Sequence, residues 1–178
     1  MSGSILLSHP SLQDPNFHKS IVFLSNHCED EGTLGVILNR PLGKQLFQLD
    51  DQFKNFALGD AEVFDGGPVD KEKLIIAAWD WKDNAQTFRL HFGIDISKAE
   101  SLREENKNIK IACFLGHSGW SPGQLEKELK VDSWLVSSLN LGLFEKVHTH
   151  SDCWKAAISR VSDEMKLLAN EPENPSFN

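Results

Sequence analysis

Gly116-His117-Ser118-Gly119-Trp120-Ser121-Pro122-Gly123-Gln124-Leu125-Glu126 is the stretch from which the fold is read. The apolar run 109–115 (Ile-Lys-Ile-Ala-Cys-Phe-Leu) leads into it and predicts a buried strand. Residues 121–129 lead out and predict a helix. Ser121 and Gln124 stand at capping-box spacing, and Pro122 takes the first helical position, where its missing N–H costs nothing. Glycines, an indole and a helix N-terminus therefore gather at one strand-to-helix junction, where folds with alternating strands and helices tend to place ligands.

Outward from that junction the pattern is irregular. Residues 20–25 and 34–38 are β-branched and aromatic runs, and the polar segment 26–33 between them predicts a looped hairpin. Residues 61–64 predict a short strand entering the turn Asp65-Gly66-Gly67-Pro68. Residues 74–79 and 86–90 flank Lys82-Asp83-Asn84 and predict a second hairpin. Leu46, Phe47, Leu49, Phe53 and Phe56 fall near helical spacing, against Asp50-Asp51 and Lys54-Asn55. Ser97 and Glu100 form a capping box for a helix to about Asn106. Trp154, Ile158, Val161, Met165 and Leu168 make one stripe, predicting a single last helix capped by Ser151 or Asp152. Strands mixed with helices and two hairpins indicate an α+β fold with a mixed sheet. The 178 residues suit one domain, residues 1–169, with a flexible tail at 170–178 that carries two prolines and little to bury.

Composition narrows the function classes. The net charge is −8, and Lys71-Glu72-Lys73 and Arg103-Glu104-Glu105 are mixed-sign surface rather than a basic stripe, so direct specific nucleic-acid binding is not expected. No apolar run reaches the ~20 residues of a membrane span, and the start lacks a signal-peptide pattern, so a cytoplasmic protein is expected. Three widely spaced cysteines suit a reducing compartment. Cys113 reads as a buried small hydrophobe; Cys28 and Cys153, among polar residues, read as thiols that could be exposed.

Four constellations could carry chemistry. Gly116-His117-Ser118-Gly119-Trp120 approaches a nucleophile elbow, with Asp132 or Asp152 and His148 or His150 following in triad order. Its last position is Trp120, where the tight turn needs glycine, so a structural Ser118 is favoured. His148, His150, Asp152 and Cys153 offer metal-ligand types within six residues; no second ligand pair has zinc spacing, and a polar surface block is the plainer reading. No metal or cofactor is expected, with His148, His150 and Cys153 the residues that would supply a metal site. Gly66-Gly67 and Gly116, Gly119 and Gly123 could present amides to an anion, or could serve tight turns and close packing. Arg40, held stiffly before Pro41, could clamp a carboxylate or phosphate; an internal ion pair, for example with Glu126, is favoured.

Several blocks then act together: 3–10 (Gly-Ser-Ile-Leu-Leu-Ser-His-Pro), Asp14-Pro15-Asn16-Phe17, 35–41 (Gly-Val-Ile-Leu-Asn-Arg-Pro), Gly66-Gly67-Pro68-Val69, 119–126, Glu128-Leu129 and Trp134-Leu135. In this order, over nearly the whole chain, they resemble the YqgE/AlgH family of bacterial proteins. The resemblance implies a single-domain α+β fold with a mixed, partly barrel-like sheet surrounded by helices, and a bacterial cytosolic protein. It implies no activity; the family's transcriptional-regulator label comes with no DNA-binding motif or catalytic set. Many members have a Cys-Glu-His-type segment where this chain has Ser25-Asn26-His27-Cys28, and alanine where it has Ser118.

The expected role is a non-enzymatic binding or regulatory protein with a protein or small-molecule partner. The alternative is an enzyme, such as a hydrolase, working at the 116–124 junction. The expected ligand-binding residues are Asn39, Arg40, Gly66, Gly67, Trp120 and Gln124, brought together from three strand ends with Trp120 as the apolar wall.

Overall fold

In the computed structural model, which describes residues 3–28, 30–82, 87–138 and 152–170, a single strand, β8 (Lys110–Trp120), organises the molecule. Around it lie β1 (Ser4–Ser8), β2 (Ile21–Cys28), β3 (Gly32–Ile37), β4 (Pro41–Gln45), β5 (Glu62–Asp65), β6 (Val69–Lys82), β7 (Thr87–Ile94) and β9 (Trp134–Ser138). The helices are α1 (Ile96–Glu105), α2 (Gln124–Lys130), α3 (Cys153–Ile158) and α4 (Asp163–Leu168). The sheet runs β4-β5-β8-β3-β2-β1-β9, with β6 joined to β8 and β7 to β6. Among the described residues only the β5–β8 pairing is parallel, so the sheet is mixed and the fold is α+β. It does not close into a barrel: among the described residues β4, β7 and β9 each pair with one strand.

Residues 112–115 of β8 pair with β5 and β6 at once, so those two strands occupy opposite edges. The chain has only residues 66–68 in which to pass from one edge to the other. It crosses β8 backbone to backbone. A Cβ on Gly66 would stand 2.3 Å from Gly116 O, and one on Gly67 2.5 Å from His117 C and O. Gly116 itself lies in the left-handed region at φ +71°. No residue with a Cβ fits at Gly66 without moving main chain. Gly66 also closes the end of β3: its N–H donates to Leu115 O and its carbonyl accepts from Ile37 N (3.0 Å).

Four core clusters are found among the described residues, the smallest joining Ala78 to Leu102 and Ile109. The largest joins Ile5, Phe23 and Val36 to Phe64, Trp79 and Phe114, so strands from both ends of the order share one core, with Trp154 and Ile158 of α3 packed into it. Trp154 Nε1 donates to Ser8 O (3.0 Å), tying α3 to β1. A second cluster sets Leu125 of α2 against Leu6, Val22, Leu24 and Ile37; a third sets Ala99 of α1 against Val63, Ile76 and Cys113. Away from these, Asp80 accepts both arms of the Arg89 guanidinium (2.9 and 2.5 Å) and the Asn106 amide (3.0 Å), linking β6, β7 and the end of α1.

Several expectations are corrected. The strand expected over 109–115 runs on to Trp120, because β3 and Val69 offer pairing partners to residues 117–120. The first hairpin has a far tighter turn than 26–33: its strands extend to Cys28 and Gly32, with a bulge between Leu24 and Asn26. The apolar residues 46–56 form two 3-10 turns, Leu46–Gln48 and Asp51–Asn55, with Asp50 accepting from Gln52 N at the start of the second. Asp95, not Ser97, caps α1 through Lys98 N, and Glu100 instead accepts from Ala57 N. The last stripe is two helices, α3 and α4. Ser162 restarts the chain by accepting from Met165 N, and Val161 is left exposed between them. Residues 171–178 of the expected tail lie outside the described residues.

Substitution at the crossing separates packing from turn propensity. Gly66→Ala and Gly116→Ala are expected to lower unfolding stability by about 3 kcal/mol or more, since main chain must move. Gly119→Ala, where the nearest atoms to a Cβ are 3.9 Å away, should stay within about 1 kcal/mol of the parent. Urea unfolding of the three variants checks this.

Candidate functional site

The 116–124 segment is built around Glu128, which stands in one of the sequence blocks but was given no role there. Trp120 at the end of β8 and Trp134 at the start of β9 both donate their indole N–H to Glu128 Oε2, at 2.9 and 2.8 Å. Gln124 Nε2 donates to Glu128 Oε1 (2.9 Å), and Gln124 Oε1 accepts from Ser121 N (3.0 Å), half of the expected capping box. Phe17 stacks on Trp120, with centroids 6.0 Å apart, and meets Trp134 edge-on at 5.4 Å. The helix begins two residues later than Pro122, after Gly123 turns through the left-handed region (φ +72°). Glu128 thus pins α2 over an aromatic cluster. Trp120, 4% exposed, is core rather than an open wall.

Ser118 is not on a turn. It lies inside β8, paired with Gly35, fully buried, and its hydroxyl donates to Gly66 O (3.2 Å). A nucleophile elbow needs a sharp exposed turn, and this position has neither. His148 and His150 lie outside the described residues.

The three expected strand ends meet in part. Residues 66–67 lie against 116–118, and Asp65 N donates to Arg40 O (2.9 Å), so Arg40, Gly66 and Ser118 belong to one neighbourhood. The glycines are filled by close packing there. Asn39 is internal: its Oδ1 accepts from Ile21 N and its Nδ2 donates to Lys19 O, both 2.8 Å, holding Lys19 in the left-handed region at φ +54°. Arg40 makes no ion pair with Glu126. Its Nη2 donates to His18 O (3.3 Å). Trp120 and Gln124 turn to Glu128 on the α2 side.

Glu126 faces His27 instead. His27 Nε2 stands 3.6 Å from Glu126 Oε1, while His27 Nδ1 and the Thr33 hydroxyl are 2.7 Å apart. The register pairs of His27 with Thr33 and of Thr33 with Trp120 put all three on the face that α2 covers. No spacing rule links His27 to Glu126, so this chain was invisible in the sequence.

Cys153, a metal-ligand candidate and a thiol that could be exposed, is 2% exposed at the start of α3, which corrects the exposed reading. Burial pushes its thiol up, and burial pushes Cys113 up to about 12. Both stay thiols near neutrality, the unreactive form.

Two measurements follow. Glu128→Ala leaves two buried indole N–H groups without an acceptor and should cost about 1–3 kcal/mol for each, with loss of α2 amide protection in hydrogen exchange. With an aromatic disulfide reagent at pH 8, Cys28 should react in the native protein, and Cys113 and Cys153 only after unfolding.

Comparison with known proteins agrees with this architecture. Residues 5–166 match the family model DUF179, described as AlgH-like. A UPF0301 protein of Methylococcus capsulatus is 34% identical over 96% of this chain and 94% of its own length. One of Streptomyces avermitilis is 31% identical over 100% of this chain and 95% of its own. The solution structure of the AlgH protein from Pseudomonas aeruginosa is similar with a TM-score of 0.66 and 25% identity, covering 97% of this chain and 95% of that one. The crystal structure of protein DIP2367 from Corynebacterium diphtheriae gives a TM-score of 0.71 at 22% identity, over 95% of this chain and 91% of that one, a likeness of fold. A match across nearly the full chain, on the strands and the α2 motif described above, places this chain in the AlgH-like (UPF0301) family.

Proposed function

We propose that the chain is a non-enzymatic binding or regulatory protein, working in the cytoplasm through a protein or small-molecule partner and not through direct specific contact with DNA. One observation carries the reading. Three side chains of the 116–124 segment are engaged by the fold itself, Ser118 by Gly66 and Trp120 and Gln124 by Glu128, so the imidazole of His117, whose Nδ1 is buried without a hydrogen-bond partner among the described residues, has no free hydroxyl to activate at Ser118. Catalysis at this junction would need a nucleophile and base free to meet a substrate. The free thiols at Cys28, Cys113 and Cys153 suit the cytoplasmic setting.

The alternative is an enzyme working at the 116–124 junction, and beside that junction Thr33, His27 and Glu126 form a hydroxyl–imidazole–carboxylate set. Thr33 is 7% exposed beneath α2, which favours a structural link over a nucleophile.

A fluorophosphonate probe should label neither Ser118 nor Thr33. Ser118→Ala should keep the fold at a cost of about 1 kcal/mol, the value of one hydrogen bond. Covalent labelling of either hydroxyl sinks the non-enzymatic reading. Sub-micromolar, sequence-dependent duplex binding in an anisotropy titration at physiological salt sinks the exclusion of DNA.

A further inference from the structure

We propose that Arg40 forms an oxyanion site, taking a carboxylate or phosphate group of a ligand in the fork of its guanidinium. The proposal rests on the binding-protein reading and specifies its ligand chemistry. Of the six residues expected to contact a ligand, the glycines are filled by packing, and Asn39, Trp120 and Gln124 are tied into the fold. Arg40 is different. It is half-buried, carries five N–H donors, and among the described residues makes one side-chain hydrogen bond, 3.3 Å to the His18 carbonyl. No carboxylate lies within ion-pair distance of it among the described residues, in a chain of net charge −8.

The acidic groups on the adjoining turns are engaged with main chain. Asp65 Oδ1 accepts from Gly67 N (3.1 Å) and Asp14 Oδ1 from Asn16 N (2.8 Å). The Arg40 backbone is fixed on both sides. Its carbonyl accepts from Asp65 N, Pro41 follows, and Asn39 before it is bonded to Ile21 and Lys19. A stiff backbone and a planar fork with one of its five N–H donors used, by the His18 carbonyl, suit bidentate recognition of an oxyanion, since little ordering remains to be done on binding.

The test is a titration of the full chain with sodium phosphate and, separately, sodium acetate at constant ionic strength held with chloride. It is followed through the Arg40 Nε–H resonance and the backbone amides of Lys19, Asn39 and Asp65. Saturable shifts confined to these groups with either anion are expected, and the two arms tell a phosphate from a carboxylate preference. Arg40→Lys keeps the charge but not the fork and should weaken binding at least ten-fold; Arg40→Ala should abolish it. Unchanged amide spectra elsewhere show that both variants are folded. Equal affinity of Arg40→Lys and the parent overturns the fork. Shifts spread over many lysines without saturation mean an adventitious ion only and overturn the site. Either failure leaves the non-enzymatic reading standing, since that is decided by hydroxyl labelling.

Discussion

The contact on which the rest of the structure depends is the passage of residues 66–68 across β8. β5 and β6 take opposite edges of one strand, and three residues connect them. A connection that short cannot arch over side chains. It lies on the β8 backbone, and that requires Gly66, Gly67 and Gly116 to meet without Cβ atoms. The same carbonyl of Gly66 then receives Ile37 N and the Ser118 hydroxyl, which brings β3 to the place where β5 ends. Sheet order, the buried serine and the position of Arg40 all follow from this crossing.

The α2 side obeys a different constraint. Seven residues of helix contribute Leu125 as the one fully buried anchor, too little to hold a helix by apolar area alone. Two carboxylates make up the difference. Glu126 reaches the β2–β3 hairpin through His27, and Glu128 reaches β8 and β9 through two indoles. Such polar anchoring is directional. It sets where the helix sits as well as that it sits.

Much of the fold was legible. The run 109–115, the β6–β7 hairpin and the start of the first hairpin were read from side-chain periodicity, which is local. β1, β4 and β9 were not read as strands: β4 is fully exposed, and the apolar runs of β1 and β9, Ile5-Leu6-Leu7 and Trp134-Leu135-Val136, are only three residues long. The glycine-rich blocks were recognised as belonging together, but their spacing could not distinguish amides offered to a ligand from backbones in contact. That distinction depends on which strand lies opposite, a long-range fact. The same limit hid the Thr33–His27–Glu126 chain and the sharing of Glu128 by two tryptophans. Arg40 was legible as a stiff arginine; that no carboxylate among the described residues pairs with it was not.

The place of β8 in the chain has a consequence for synthesis. Its partners β3, β5 and β6 all precede it, and its first residue is Lys110. Until that strand leaves the ribosome, β1 to β3 can pair among themselves and β6 with β7, but β5 has only the exposed β4 beside it. The nascent chain thus carries open strand edges for more than half of its length, and pairing at such sequence separation is slow. Once β8 arrives, the two halves can be joined along both edges of one strand, and β9, later still in the chain, completes the sheet on the free edge of β1.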